Sequence, residues 1–284
     1  MAGIRFYHDF KFEYGVVEII SPLIRRIVSR NPGAFTGPGT ATYIIGHGHV
    51  AVIDPGPALS EHIQSILDAV RGETVDQILI THTHPDHWPA APAIQAATGA
   101  PIYAFAHGVG ERTLRDGDVT EGKGWRLEAV HTPGHTSDHL SFALSDERVL
   151  FSGDHVMGWS TSVIIPPDGD MAAYMVSLEK LLRRDDAIYL PTHGPAVTDP
   201  RTHVRAFIEH RLERRAAILR RLGQGEASVS EIVRAVYTDV STSLHGAAAL
   251  SVLAHLIELV DLNQVACDGP PASAQRFRLS NKTV

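Results

Sequence analysis

Cysteine is the scarcest residue of this 284-residue chain, with Cys267 its single copy. One cysteine excludes an intramolecular disulfide and any cysteine-based zinc knuckle, so a metal site here must rest on histidine and carboxylate ligands. Cys267 itself reads as a partly buried small hydrophobe. No apolar run reaches the roughly 18–20 residues of a membrane helix. The opening "MAGIRFYHDFKFEYG" also lacks the continuous apolar stretch of a secretory leader. A cytoplasmic location with no membrane partner is the default expectation. Excess positive charge is missing too: 25 Lys and Arg against 32 Asp and Glu leave a formal net charge of −7. That balance argues against a chain coated for non-specific nucleic-acid binding. Aromatic residues make up 7%, with no evident stripe on which bases would stack.

What is present is the composition of a folded protein, 44% hydrophobic and 20% charged. The length predicts a large domain with a small appendage. Residues 41–56, "ATYIIGHGHVAVIDPG", read as a hairpin around a Gly-His-Gly turn, with His47 and His49 as ordinary surface residues at its tip. A helix is predicted over 59–70 from the stripe Leu59, Ile63, Ile66, Leu67 and Val70, another from Pro89 to a stop at Gly99, and a third over about 170–183. Four short apolar runs each deliver polar residues at their C-terminal ends: "DQILI" before "THTHPDH", "WRLEAV" before "HTPGHTSDH", "RVLF" before "SGDH" and "AIYL" before "PTHG". In sheet-based α/β proteins such loops converge on one rim. Beyond about residue 200 the texture changes to helices over about 200–222, 228–237 and 245–261, followed by two short β runs around a Gly-Pro-Pro turn. This is a winged-helix-like tail, giving domains 1–200 and 201–284. Between Asp199 and Glu226 seven arginines face two glutamates, a net +5. That is either a solvated helix face or a polyanion-binding surface.

The chemistry concentrates in "THTHPDHW", residues 81–88. Alternate residues His82 and His84 can project to one side of an extended segment, while Asp86 and His87, beyond the Pro85 bend, can face a neighbouring position. The later strand-end loops offer His135, Asp154 and His193. Neutral imidazole and carboxylate are ordinary zinc ligands, and two such ions can share a bridging carboxylate.

In order and context, "THTHPDH", "HTPGHTSDH", "SGDH" and "PTHG", preceded by "VIDPG", resemble the metallo-β-lactamase superfamily over about residues 15–200. The resemblance implies a four-layer αββα sandwich with two metals at one edge of its sheets. It implies His82, His84 and His135 around the first metal, Asp86, His87 and His193 around the second, and Asp154 between them. Asp54 resembles the carboxylate that receives an imidazole N–H from a ligand and fixes its tautomer. His84 stands where the redox di-iron relatives carry a carboxylate, so two zinc ions are the expectation, with manganese or iron not excluded by ligand type. Asp86 would orient the attacking hydroxide. His139 would polarise the substrate, support the leaving group or pack behind the ligands.

The segment from "YLPTHGPAVTDPRTHVRAFIEHRLERRAAIL" onward, together with "NPGAFTGPGTATYIIG", resembles the branch that includes a mitochondrial β-lactamase-like single-strand-specific endoribonuclease. Related members resemble acyl-carrier-protein thioesterases, and the bridging Asp154 resembles glyoxalase II. Two departures stand out. "DHWPAA" replaces the usual paired glycines, and Ala41 stands where the branch commonly has Asn. Trp88, Trp159, Ser160 and Thr161 are candidates to line a substrate path. The implied activity is binuclear metal-dependent hydrolysis, of single-stranded RNA in the leading reading and of a thioester in the alternative. A reading of another class is a non-catalytic nucleic-acid-binding or scaffolding protein with structural metal. A homo-oligomer is open in either case.

Overall fold

The computed structural model describes residues 3–105, 109–238 and 241–280. A seven-stranded sheet runs in chain order through β1 (Glu18–Ile19), β2 (Ile24–Val28), β3 (Ala41–His47), β4 (His49–Ile53), β5 (Thr74–Leu79), β6 (Ile102–Ala104) and β7 (Arg112–Thr113). A five-stranded sheet has β8 (Val119–Gly122) at one edge, then β9 (Trp125–His131), β10 (Leu140–Leu144), β11 (Val149–Gly153) and β12 (Ile188–Pro191). The predicted hairpin is β3 and β4, with His47 opposite His49.

Apolar alternation decides how the layers stack. In β3, Tyr43 and Ile45 point into the core between the sheets, while Ile44 points to the other face. The central core joins Tyr43, Ile45, Ile53 and Leu79 of the first sheet to Leu127, Phe142, Phe151 and Leu190 of the second. A strand buried on both faces cannot slip by one residue without reversing both sets of contacts, so the register is strongly specified. The outer face of the first sheet is covered by α1 (Ser60–Ala69) and α2 (Ala91–Thr98) through Ile66 and Ile94. The helix predicted from Pro89 starts two residues later, carries Pro92 in its first turn, and stops at Gly99 in the left-handed conformation. The outer face of the second sheet is covered by α3 (Met171–Leu182), capped by Asp170, and by the first half of α4 (Pro200–Leu222), capped by Asp199. The result is the expected αββα sandwich.

α4 also belongs to a second core. Val204 and Phe207 pack on the sandwich, whereas Ile218 and Leu222 pack with α5 (Val229–Val236) and α6 (His245–Asp261). A small antiparallel sheet of β13 (Ala227–Ser228), β15 (Arg276–Leu279) and β14 (Val265–Cys267) completes this module as a winged helix. Ser228 and Glu231 form a reciprocal capping box that starts α5. Among the described residues no helix is long and apolar enough to cross a membrane.

Strand direction places the chemistry. β4 and β5 are parallel, β11 and β12 are parallel, and β9 lies antiparallel to β10, which in turn is antiparallel to β11. The C-terminal ends of β4 and β5 therefore share one edge of the first sheet, and those of β9, β11 and β12 share one edge of the second. The two sheets are stitched together at this rim: Ala41 N–H donates to Thr192 O at 2.8 Å, Leu140 N–H to Thr81 O at 2.7 Å, and the Tyr43 hydroxyl to Pro191 O at 2.7 Å.

Candidate metal centre

All seven residues expected as ligands meet at this rim. His82, His84, His135 and Asp154 form one group, and Asp86, His87 and His193 another, with the ligand atoms of each within 4.8 Å of one another. Asp154 reaches both: its Oδ2 lies 3.6 Å from His135 Nε2 and 3.6 Å from His87 Nε2, and its Oδ1 lies 3.4 Å from His193 Nε2. Asp86 Oδ2 lies 3.1 Å from His193 Nε2 and 3.5 Å from His87 Nε2.

The outward nitrogens settle which ring atoms face inward. His135 Nδ1 donates to Val163 O at 2.6 Å and His193 Nδ1 to Gly39 O at 3.1 Å, and a carbonyl can only accept. His87 Nδ1 donates to Asp54 Oδ2 at 2.8 Å. His82 Nδ1 lies 3.0 Å from the Thr81 hydroxyl, which spends its own proton on Asp54 at 2.7 Å and so accepts from the ring. Four imidazoles thus carry Nδ1–H and aim Nε2 lone pairs into the centre. His84 joins through Nδ1, 2.9 Å from His82 Nε2 and 3.1 Å from His135 Nε2.

A cation fits this arrangement better than protons do. Only His84 Nδ1 is free to carry a proton between the three nitrogens, so one N–H would have to serve two lone pairs. His87 Nε2 and Asp154 Oδ1 are buried with no hydrogen-bond partner among the described residues. Ligands about 2.1 Å from a tetrahedral ion lie about 3.4 Å apart, and the separations of 3.1–3.6 Å between carboxylate and imidazole atoms bracket that value. Without a cation, protons must balance the carboxylates. Burial alone would lower His193 and His87, yet Asp154 and its neighbouring carboxylates overcome it, lifting His193 to about 9 and His87 well above its ordinary value. His84, with burial and the neighbouring His135 both against protonation, falls to about 4. Burial would raise Asp86, but His87 and His193 bring it down to about 2.

Asp54 organises the ligands from behind. Its carboxylate accepts from Thr81 N at 2.8 Å, the Thr81 hydroxyl, His87 Nδ1 and the Thr192 hydroxyl at 2.9 Å. Its backbone is left-handed, with φ of 46°, a conformation that aspartate tolerates better than most residues and that turns β4 toward the site. Gly153 plays a comparable part before Asp154. Its φ is 53°, and a Cβ there would lie 2.4 Å from His139 Nε2.

His139 is fully buried, and both its nitrogens are engaged. Nε2 accepts the Asp154 N–H at 3.1 Å, so Nδ1 carries the proton and donates to the Thr132 hydroxyl at 2.9 Å. Burial, with His155 and His135 nearby, holds it well below its ordinary value, and both ring nitrogens are turned to Asp154 N and Thr132. Trp88 is likewise turned away: its N–H donates to Thr83 O at 3.2 Å and its ring packs on the outer core of the first sheet. Trp159 does stand at the rim, wedged between Gly37 and Gly194, where added Cβ atoms would meet its ring at 2.9 and 2.5 Å. Ser160 and Thr161 follow it, half-buried. Three of the seven arginines of the Arg-rich helix are spent on internal contacts. Arg211 donates to Ser162 O, Arg214 donates to Val236 O and Arg215 pairs with Glu258, whereas Arg221 makes an exposed bond to Gly225 O at the helix end and Arg201, Arg205 and Arg220 are exposed.

Sequence reasoning missed Thr81 and Thr192, although a signal was there: each immediately precedes a ligand, in "THTH" and "PTHG". It also missed the carbonyls of Val163 and Gly39, which no residue identity marks.

The model of the metallo-beta-lactamase superfamily matches residues 34–113 and 103–193, and that of the beta-lactamase associated winged helix domain matches 228–270. The beta-lactamase-like protein 2 homolog of Caenorhabditis elegans is 34% identical over 251 residues, covering 83% of each chain. An atrochrysone carboxyl ACP thioesterase of Aspergillus chevalieri is 32% identical over 238 residues, covering 79% of this chain and 76% of that one. A beta-lactamase domain protein from Burkholderia ambifaria shares the fold, with a TM-score of 0.82 at 19% identity over 98% of this chain and 97% of the other.

Proposed function

This chain belongs to the metallo-beta-lactamase superfamily, and from that premise we propose that it is a binuclear zinc hydrolase acting on acyl thioesters. The observation that carries the hydrolase reading is the convergence of five tautomer-controlled or lone-pair imidazoles and two carboxylates on one rim, with Asp154 within reach of both groups. A closed structural site would need four ligands, whereas seven leave positions for water and substrate. Bound there, divalent cations supply Lewis acidity, polarising a carbonyl and lowering the pKa of water toward neutrality.

The chain's own groups divide the remaining work. Asp86 is the most exposed of the three carboxylates, at 24% against 9% for Asp154 and none for Asp54. It faces arriving water and, held down to about 2, acts as a hydrogen-bond acceptor that orients the nucleophile. Asp154 holds the two ligand groups together, and His139 fixes it through its backbone N–H. Asp54 keeps His82 and His87 in the tautomers that point Nε2 inward. Trp159, packed against Gly194 next to His193 and followed by Ser160 and Thr161, offers a wall against which an acyl group would lie.

The thioester reading is favoured over RNA by two observations. Three of the seven arginines that motivated a polyanion surface make internal contacts. A relative of comparable length is named an ACP thioesterase. The test is hydrolysis of acyl N-acetylcysteamine and acyl-carrier thioesters beside labelled single-stranded RNA, with zinc-loaded wild type and folded Asp154→Asn. Thioester turnover that is lost in the variant is expected. RNA cleavage lost in the variant, with inert thioesters, overturns the substrate assignment. Metal binding without turnover of either revives a non-catalytic role.

A further inference from the structure

Arg211 sits in the middle of α4 at 2% exposure, and no carboxylate among the described residues lies within ion-pair distance of it. Burying a cation without a counter-charge is costly, so its contacts ask for an explanation. Its Nη2 donates to the Ser162 carbonyl, its guanidinium lies 5.2 Å from the centroid of the Tyr174 ring, and its Nε has no hydrogen-bond partner. Arg214 and Arg215 reach Val236 O and Glu258, both within the C-terminal helices. Arg211 instead reaches across to the long segment between β11 and α3.

That segment bears directly on two ligands. The Ser162 hydroxyl donates to Asp154 O at 2.6 Å and stands 2.9 Å from His155 O, to which the Tyr174 hydroxyl also donates at 2.9 Å. The next residue, Val163, supplies the carbonyl that fixes His135 Nδ1. The backbone of Ser162–Val163 is therefore gripped on one side by Arg211 and on the other grips Asp154 and His135. A planar guanidinium suits this place because it can donate in its plane to a carbonyl while its face lies toward an aromatic ring.

We propose that Arg211 is a positioning residue for the metal centre: from α4 it holds the 154–163 segment so that Asp154 and His135 keep their aim. On this account α4, the helix shared by the sandwich and the winged-helix module, completes the hydrolytic site as well as packing on it. The inference rests on the metal reading of the cluster.

The test uses the full chain and metal alone, without substrate. Affinity for Co²⁺ is measured by chelator competition, the visible bands of the Co²⁺ form are recorded, and unfolding of the metal-free chain is followed in urea. Arg211→Met is expected to bind Co²⁺ at least about tenfold more weakly, the usual scale for groups that orient ligands, with shifted bands. Arg211→Lys, which keeps a donor and the charge, is expected to restore most of the affinity. Ser162→Ala should weaken binding in the same direction, and the double variant should fall short of the sum of the two. An Arg211→Met chain that unfolds more easily but keeps wild-type affinity and bands would show a packing role only and overturn the proposal. Should Arg211→Met fail to fold, wild-type affinity in Ser162→Ala overturns it instead. A wild-type chain that binds no Co²⁺ refutes the metal reading itself, and the proposal with it.

Discussion

Replacing Asp54 by asparagine separates the charge of this residue from its shape. Asparagine also tolerates φ of 46°, so backbone strain is not added, whereas alanine there would incur about 1–2 kcal/mol for the left-handed conformation. The carboxylate accepts four hydrogen bonds, three on Oδ2 and one on Oδ1. An amide has one acceptor atom. With its oxygen at the Oδ2 position the amide NH₂ faces the Thr81 N–H; in the opposite orientation it faces His87, Thr81 and Thr192 together. The first orientation is the less costly and still leaves a buried donor unsatisfied, about 1–3 kcal/mol. Loss of the charge also weakens the hold on His87 Nδ1–H, so zinc affinity should fall about 10–100-fold. The assays are urea unfolding of the metal-free chain and zinc competition with a chromophoric chelator. Asp54→Asn with wild-type zinc affinity and wild-type stability would refute the assignment of Asp54 as the group that orients the ligands.

Gly153→Ala should destabilise the chain by more than about 1–2 kcal/mol, because left-handed strain adds to a Cβ 2.4 Å from His139 Nε2; an unchanged melting temperature would contradict this. His62 is 1% exposed and burial holds it at about 4, below its ordinary 6.5. Below pH 6.5 the unfolded chain binds a proton at this site that the folded chain refuses, so the His62 contribution to stability falls by about 1.4 kcal/mol per pH unit down to about pH 4 and is flat above 6.5. His62→Gln should show an acid-unfolding slope shallower by that amount, and equal slopes would exclude His62 as a contributor. Removing metal should leave the sandwich folded, since three apolar clusters hold it, but lower its stability by about 4 kcal/mol for each ion lost, relative to chain in free zinc at 1,000 times that site's dissociation constant. Far-UV circular dichroism that collapses on chelation would show that the cores alone do not suffice.

Much of the molecule was legible before folding because the signals were local. Helices α4, α5 and α6 follow from local apolar spacing, and the first two also have capping residues, Asp199 and Ser228, at their starts. The seven ligand candidates follow from short apolar runs that each end in histidine or aspartate, since a strand carries its terminal residues to a sheet edge wherever that sheet sits. The resemblance added the pairing of ligands into two groups, which the spacing alone left open.

Tertiary structure decided the rest, and the reason is range. Thr192 reaches Asp54 across 138 positions and Arg211 reaches Ser162 across 49, and no local pattern encodes which distant donor will meet which acceptor. The seven arginines looked like one basic face in sequence. Packing of α4 against the long loop, α5 and α6 turned three of them to internal carbonyls or a glutamate, because a buried carbonyl or carboxylate needs a donor more than solvent does. His139 and Trp88 read as groups that could meet substrate, and the fold assigned their polar atoms to Asp154 N, Thr132 and Thr83 instead. Residue type and strand-end position selected the candidate metal ligands. The buried hydrogen bonds behind them selected their tautomers, and only a closed pair of sheets brings those partners together.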